Sequence, residues 1–124
     1  MTESTHAEKL GITEGSVVWL VADSVEETAL LDPLPADVET VDEPVDRMDA
    51  AVLVADNRIV LQHRLDEVLP SLGSTPVAWI SYPAGNRREL DRDALVALVG
   101  EYGWGLGPEV RLDETWAAVR LRQL

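Results

Sequence analysis

Three continuous apolar runs along the chain predict buried strands. They are Ser16–Ala22, Ala50–Ala55 and Pro76–Tyr82, and they consist mainly of valine, alanine, leucine, isoleucine and tryptophan. An unbroken apolar run is typical of a strand that is covered on both faces, as in a parallel sheet. The shorter run Asp37–Val41 alternates between apolar and polar residues and predicts one more strand, which lies between the first and second runs in chain order.

Between these runs the apolar residues are spaced as on helices. A first helix is predicted to begin near Asn57 and to end at Pro70 and Gly73. Its apolar face carries Leu61, Leu65, Val68, Leu69 and Leu72. A second helix is predicted after Asp91, which suits a cap, and Gly103 suits a left-handed end. Its apolar face carries Leu95, Leu98, Val99 and Tyr102.

A further helix after the first strand and a hairpin at the end of the chain complete the pattern. Ser24 and the acids behind it favour a helix start, and that helix ends before Pro33. Glu109–Leu112 and Trp116–Leu121 have strand character, and the short polar gap between them predicts an antiparallel hairpin. The chain therefore reads as strands alternating with helices, followed by a hairpin.

This order of elements predicts the fold class. Strands alternating with helices imply right-handed crossovers and helices on both faces of one sheet. We therefore predict a three-layer α/β/α sandwich with a mostly parallel sheet and a C-terminal antiparallel hairpin. Residues 1–124 are expected to form a single domain in which the lead-in, residues 1–9, is flexible.

Composition narrows the functional classes. The 124 residues include no cysteine, which removes disulfides, thiolate catalysis and cysteine-bearing metal sites. A net charge of −13 makes nucleic acid and anionic membranes poor partners. No apolar run approaches the ~20 residues that span a bilayer, and the start of the chain lacks a secretory segment, so a cytoplasmic location is expected. Nine arginines against one lysine suggest a GC-rich, bacterial genome.

The negative charge is concentrated in one part of the chain. Between Asp23 and Asp49 there are ten acidic residues and one basic residue, Arg47. Such a segment is either a docking face for a basic partner, a weak cation site, or a solvated surface that keeps the protein soluble. The solvated surface is the interpretation that we favour.

Several short motifs resemble known proteins. Lys9-Leu-Gly-Ile-Thr-Glu-Gly15, Trp79-Ile-Ser-Tyr-Pro83 and Asp113-Glu-Thr-Trp116 are similar to phrases in a family of short bacterial proteins that carry a domain of unknown function. The order of elements also resembles a trimmed methyltransferase fold of the class that uses S-adenosylmethionine. The resemblance covers about nine-tenths of the chain and implies a minimal methyltransferase-like architecture. The family has a lysine where this chain has Ala84.

A nucleotide cofactor would require a glycine-rich turn after the first strand, where the backbone must approach the ligand closely. No glycine occurs between Ser16 and Leu72, and the pair Glu26–Glu27 would repel a phosphate or carboxylate. Asp42 or Glu43 follows the second strand, where an acid would bind ribose hydroxyls, but solvent exposure is the interpretation that we favour for an acid in this acidic loop. We therefore expect no cofactor.

Polar residues at the carboxyl ends of the predicted strands are the candidate ligand-binding residues, because ligands bind at that edge of open α/β sheets. They are Asp23, Ser24, Asp56, Asn57, Ser81, Tyr82 and Pro83. For Ser81 and Tyr82 we favour an interior role, in which Ser81 satisfies backbone groups and Tyr82 covers the core. Arg87 and Arg88 form a basic spot that would hold an anion or pair with local acids.

Other chemistry is weakly represented. His6 lies in the lead-in and His63 on the polar side of its helix, so no metal site is expected. No serine lies in a nucleophile elbow, and we expect no catalytic residue. Trp104 is flanked by glycines and would either anchor a partner or fold back onto the last helix.

These observations favour a non-catalytic binding or interaction module. Its partner would be a protein or a small molecule, and it would act as a monomer or as a homodimer joined through the edge of the hairpin. The alternative is a relative of the S-adenosylmethionine-dependent methyltransferases with an atypical cofactor site.

Overall fold

The computed structural model describes residues 6–22, 31, 34–43, 45–46, 48–55, 57–72, 75, 77–83 and 92–123. The described elements are three helices and six strands. In chain order they are α1 (His6–Lys9), β1 (Val17–Val21), β2 (Glu39–Val41), β3 (Ala50–Val54), α2 (Arg58–Leu72), β4 (Val77–Pro83), α3 (Arg92–Gly100), β5 (Trp104–Arg111) and β6 (Trp116–Gln123). The helix predicted after Ser24 lies outside the described residues.

The six strands form one mixed sheet in the order β2-β1-β3-β4-β6-β5. The pairs β1–β2, β1–β3 and β3–β4 are parallel, whereas β6 runs antiparallel to both β4 and β5. The fold class is therefore confirmed: the architecture is α/β, mostly parallel, with a C-terminal antiparallel hairpin. The carboxyl ends of β1, β2, β3 and β4 all meet at one edge, which we call the carboxyl edge of the sheet.

Both faces of the sheet are covered by apolar residues, which explains the unbroken runs in the sequence. One face packs against the inner sides of α2 and α3, with Leu65 and Leu95 fully buried. The other face packs against the N-terminal segment, through Ala7, Leu10 and Ile12. In the described part of the chain, no helix is long and apolar enough to cross a membrane.

Several boundaries differ from those predicted, among them the start of β5, which lies at Trp104 and not at Glu109. Residues 6–9 form a helical turn whose Ala7 is fully buried, instead of a flexible lead-in. Pro70 lies within α2, which continues to Leu72, because a proline in the last turn removes only one backbone hydrogen bond while Leu72 still gains burial. The third strand run ends at Pro83 itself, which pairs with Trp116 of β6.

The turn of the hairpin is held by one aspartate. The Oδ1 atom of Asp113 accepts hydrogen bonds from the backbone N–H groups of Thr115 and Trp116, both at 2.7 Å. The Nε2 atom of His6 lies 3.4 Å from the other carboxylate oxygen, and Lys9 donates to the carbonyl of Leu112 at 2.9 Å. Helix α1 is thus attached to the turn of the hairpin, at the carboxyl edge.

The pKa of Asp113 provides a test of this attachment. Partial burial raises that pKa, but the N–H donors of Trp116 and Thr115 and the nearby charges of His6 and Lys9 outweigh it and bring the pKa below its ordinary value. A carboxyl whose pKa is lowered on folding stabilises the protein above its unfolded pKa, and the contribution is lost as the pH falls through the folded pKa. Asp113→Asn is expected to remove this acid-side dependence.

On acidification, the unmodified protein is expected to lose at most about 1 kcal/mol more stability than the variant, because the carboxylate is partly exposed and screened by solvent. It is measured by urea unfolding at neutral pH and at a pH below the ordinary aspartate pKa. If acid lowered the stability of the variant as much as that of the unmodified protein, the contribution assigned to Asp113 would be contradicted.

Candidate functional site

A cleft opens at the carboxyl edge, beyond the tips of β1 and β2. It has a volume of about 640 Å³, which lies within the range of small-molecule sites. Two strands and the loop that follows β2 line it, through Leu20, Ala22, Thr40, Val41, Asp42, Glu43 and Val45. Open α/β sheets bind their ligands at this edge, so the position of the cleft makes it the candidate functional site.

The parallel pairing of β1 with β2 builds this cleft. Trp19 is aligned with Val41, so the two residues after β2, Asp42 and Glu43, follow directly beyond the paired segment. Both carboxylates are exposed, whereas Leu20 is buried and Ala22 is half-buried. The cleft therefore combines an apolar wall with two acids on one rim, and these are the two acids that the sequence indicated for ribose binding.

Four described acids of the acidic segment are divided between the two edges of the sheet. The Oδ2 atom of Asp49 accepts a hydrogen bond at 2.8 Å from the backbone N–H of Val17, the first residue of β1, at the opposite edge of the sheet. Asp37 precedes β2 at that same opposite edge and has a left-handed φ of 61°. Asp42 and Glu43, in contrast, lie at the carboxyl edge. The described acids of this segment therefore lie at both ends of the strands, and a docking role for the segment stays a prediction.

Ser81 and Tyr82 lie inside the sheet and do not open into a crevice. Ser81 is fully buried in β4, between β3 and β6, and its hydroxyl donates to the carbonyl of Ala117 at 3.4 Å. Tyr82 is 6% exposed and its hydroxyl donates to the carboxylate of Glu109. The interior role considered for both residues matches this geometry, because both side chains are buried.

The other residues that the sequence indicated for ligand binding lie partly outside the described residues. Asp23, Ser24, Asp56, Arg87 and Arg88 lie outside the described residues. Asn57 is described and has a local role. The side chain of Asn57 caps α2 by accepting the N–H of Val60 at 2.9 Å.

Trp104 is not in a loop. It begins β5, is half-buried and packs against the core that includes α2 and α3. The glycines beside it disfavour a strand locally, but pairing of Trp104 with Gln123 of β6 organises the segment. Gly103 has the left-handed φ of 80° predicted for a helix end. A role for Trp104 in partner contact stays a prediction.

The two histidines are separated by the fold. His63 is exposed on α2, as predicted from the helical spacing. His6 faces Asp113 at the hairpin turn. Across the described ranges, no group of three or more His, Asp or Glu side chains is arranged to hold a metal ion.

One residue at the carboxyl edge was missed by the sequence reasoning. Arg64 is 5% exposed, although it is an arginine. Its Nη1 atom donates a hydrogen bond at 2.9 Å to the carbonyl of Val21, the last residue of β1. The signal was present in the sequence, because position 64 follows Leu61 by three residues and shares its apolar face.

Comparison with known proteins finds similarity in structure alone. No protein-family model and no curated protein sequence matches the chain. A protein of the NADB-Rossmann superfamily from Streptococcus agalactiae has a TM-score of 0.60 and 9% identity, and the match covers 99% of this chain and 69% of that one.

Two further solved structures are related in the same way. DhpI in complex with S-adenosylhomocysteine has a TM-score of 0.54 and 12% identity, with 95% of this chain and 79% of that chain covered. The tRNA methyltransferase TrmK of B. subtilis has a TM-score of 0.51 and 13% identity, with 95% and 63% covered. The chain thus spans less than two-thirds of TrmK. At these identities the likeness establishes the fold, which is a trimmed methyltransferase-like one.

Proposed function

We propose that the cleft binds an S-adenosyl nucleoside, and that the protein is a relative of the S-adenosylmethionine-dependent methyltransferases with an atypical cofactor site. The observation that carries this proposal is the pair Asp42 and Glu43 on the rim of a cleft at the tips of β1 and β2. The likeness to DhpI, solved with S-adenosylhomocysteine, and to TrmK supports it further.

The residues of the cleft fit the adenosine part of such a ligand. Leu20, Ala22, Val41 and Val45 provide apolar surface against which a purine packs. Val45 is 44% exposed, so part of this surface is available to a ligand. The carboxylates of Asp42 and Glu43 accept hydrogen bonds from the two ribose hydroxyls, as an acid after the second strand does in dinucleotide-binding folds.

Charge narrows the ligand class. Asp42 and Glu43 are the two charged residues that the structure describes in the cleft, and the whole chain has a net charge of −13, so the field near the cleft repels phosphate groups. A nucleoside diphosphate or triphosphate would bring several negative charges to this edge. S-adenosylmethionine has instead a positively charged sulfonium and a net positive charge. We therefore expect sulfonium and thioether nucleosides to bind in preference to phosphorylated nucleotides.

The test is a calorimetric titration of the protein with S-adenosylmethionine, S-adenosylhomocysteine and ATP. Saturable one-to-one binding of the first two is expected, and no saturable binding of ATP. The double variant Asp42→Asn, Glu43→Gln is expected to weaken binding about tenfold or more, because charged hydrogen bonds to hydroxyls contribute about 1.5–3 kcal/mol.

Glu14→Gln is the matched control, because Glu14 is an exposed acid that precedes β1 at the opposite edge of the sheet. It should bind like the unmodified protein. An equal loss in the double variant and in the control would assign the effect to overall charge, which contradicts the proposal.

A non-catalytic binding module is the second candidate. It is favoured by one observation, namely that no glycine occurs between Ser16 and Leu72, where a close approach of backbone to a coenzyme normally requires one. This function predicts no saturable binding of either S-adenosyl compound at millimolar concentration. The same titration therefore separates the two functions.

A further inference from the structure

The described lining of the cleft carries charge of one sign. Its polar side chains are those of Thr40, Asp42 and Glu43, and the other described lining residues are apolar. Both carboxylates are exposed, and Asp46, which directly follows the lining residue Val45, is a third exposed acid. A ligand in the cleft therefore meets negative charge, and the described lining supplies no lysine, arginine or histidine to compensate it.

The buried arginine at this end of the sheet does not change that balance. Arg64 lies on α2, is 5% exposed and donates through Nη1 to the carbonyl of Val21 at 2.9 Å. Helix α2 covers one face of the sheet, whereas Leu20 and Ala22 of the cleft pack with the cluster on the opposite face. The guanidinium is thus on the other side of β1 from these two residues, and Arg64 does not line the cleft.

The proposed ribose position brings the rim acids close to the rest of the ligand. When Asp42 and Glu43 bind the two ribose hydroxyls, the sulfur-containing chain of the ligand starts from that same ribose. Charges less than about 8 Å apart are only partly screened at physiological ionic strength. The rim therefore attracts a positive charge on this chain and repels a carboxylate. The hydroxyl of Thr40 is neutral and does not offset that repulsion.

We propose that the cleft selects adenine nucleosides whose sulfur-containing chain is cationic and lacks a carboxylate, with decarboxylated S-adenosylmethionine as the representative ligand. The inference rests on the proposed function. S-adenosylmethionine has a sulfonium, an ammonium and a carboxylate on this chain, and the decarboxylated compound keeps the two positive groups alone. The adenosine part is the same in both compounds, so the carboxylate decides which of them binds more tightly.

Calorimetric titration of the unmodified protein with the two compounds tests this selection. The decarboxylated compound is expected to bind about tenfold more tightly, because it lacks a charge that two nearby acids repel. The preference should shrink several-fold when NaCl is raised from about 50 mM to about 500 mM, because salt screens the rim. Putrescine, a dication without a nucleoside, should show no saturable binding, which separates the cleft from general attraction to an acidic chain.

The double variant Asp42→Asn, Glu43→Gln provides a second measurement, the ratio of the two affinities. Both compounds lose the same ribose contacts in this variant, so a ratio nearer to one reports the charge of the rim. Glu14→Gln is again the matched control, because it removes an exposed acid at the opposite edge of the sheet. It should keep the ratio of the unmodified protein.

Two results overturn the inference and leave the proposed function intact. One is equal or tighter binding of S-adenosylmethionine by the unmodified protein, a comparison that needs no variant to fold. The other is a preference that neither salt nor the double variant reduces, since its cause would then lie outside the rim charges. If neither compound binds saturably, the proposed function itself fails, and this inference with it.

Discussion

Trp79→Ala is expected to lower the free energy of unfolding by about 3–5 kcal/mol, out of the roughly 5–15 kcal/mol that a domain of this size has available. The indole is 6% exposed and fills the core between the sheet and the N-terminal segment. Its N–H donates at 2.9 Å to the carbonyl of Leu10, 69 residues away in the chain. Alanine removes the buried ring and leaves that carbonyl without this donor. Urea unfolding followed by circular dichroism measures the change.

A pair of tryptophan-to-phenylalanine variants isolates the hydrogen bond. Trp19 is also buried, at 2% exposure, but its indole N–H has no hydrogen-bond partner among the residues that the structure describes. Both replacements remove similar atoms, so Trp79→Phe should cost about 1–2 kcal/mol more than Trp19→Phe. Equal costs would show that the bond to Leu10 contributes nothing to stability.

Leu65→Ala is expected to lower the free energy of unfolding by about 2–5 kcal/mol. Leu65 is fully buried on the inner face of α2, in the cluster that joins this helix to the sheet. The cost has two parts, the lost burial of the side chain and the cavity that the packed neighbours cannot close. The measurement is again urea unfolding, with the slope of the transition checked for constancy.

His63→Ala is the matched control on the same helix. His63 is exposed, and alanine favours the helix slightly, so the change in stability should stay within about 0.5 kcal/mol. A loss below about 1 kcal/mol for Leu65→Ala, or a loss in His63→Ala that equals it, would contradict the described packing of α2.

The strands of the sheet were predictable to within one or two residues at most ends. The runs around β1, β3 and β4 are apolar almost throughout because helices or the N-terminal segment cover both faces of the sheet. Such a pattern leaves few alternatives, since any other arrangement would expose these residues. The helical face of Leu61, Leu65 and Val68 was predictable for the same reason.

The errors arose where local preference and tertiary pairing disagree. Gly105, Gly107 and Pro108 disfavour a strand in isolation, yet all three lie in β5 because β6 supplies the pairing partner. The register shifts between Leu106 and Glu109, where the pairing accommodates them. Pro70 in α2 is a similar case, because burial of the residues around it compensates for the missing donor.

The candidate site was predictable in part. Asp42 and Glu43 were considered for ribose binding because an acid after the second strand has a known use, but solvent exposure was the favoured interpretation. Ser81 was placed at a ligand crevice because it ends a strand run, but the antiparallel neighbour β6 buries it. Arg64 was not found, since a single arginine on an apolar helical face is ambiguous until its hydrogen-bond partner is known.

Local chemistry along the chain is sufficient for the alternation of strands and helices, the two-sided burial of the sheet and its acidic character, because periodicity and charge are properties of neighbouring residues. Contacts between distant segments set the strand order, the attachment of His6 to Asp113 and the division of the acids between opposite edges of the sheet. The cleft beside Asp42 and the approach of Arg64 to Val21 belong to this second group. They depend on which strands pair and where each one stops, and that is decided by burial summed over the whole molecule.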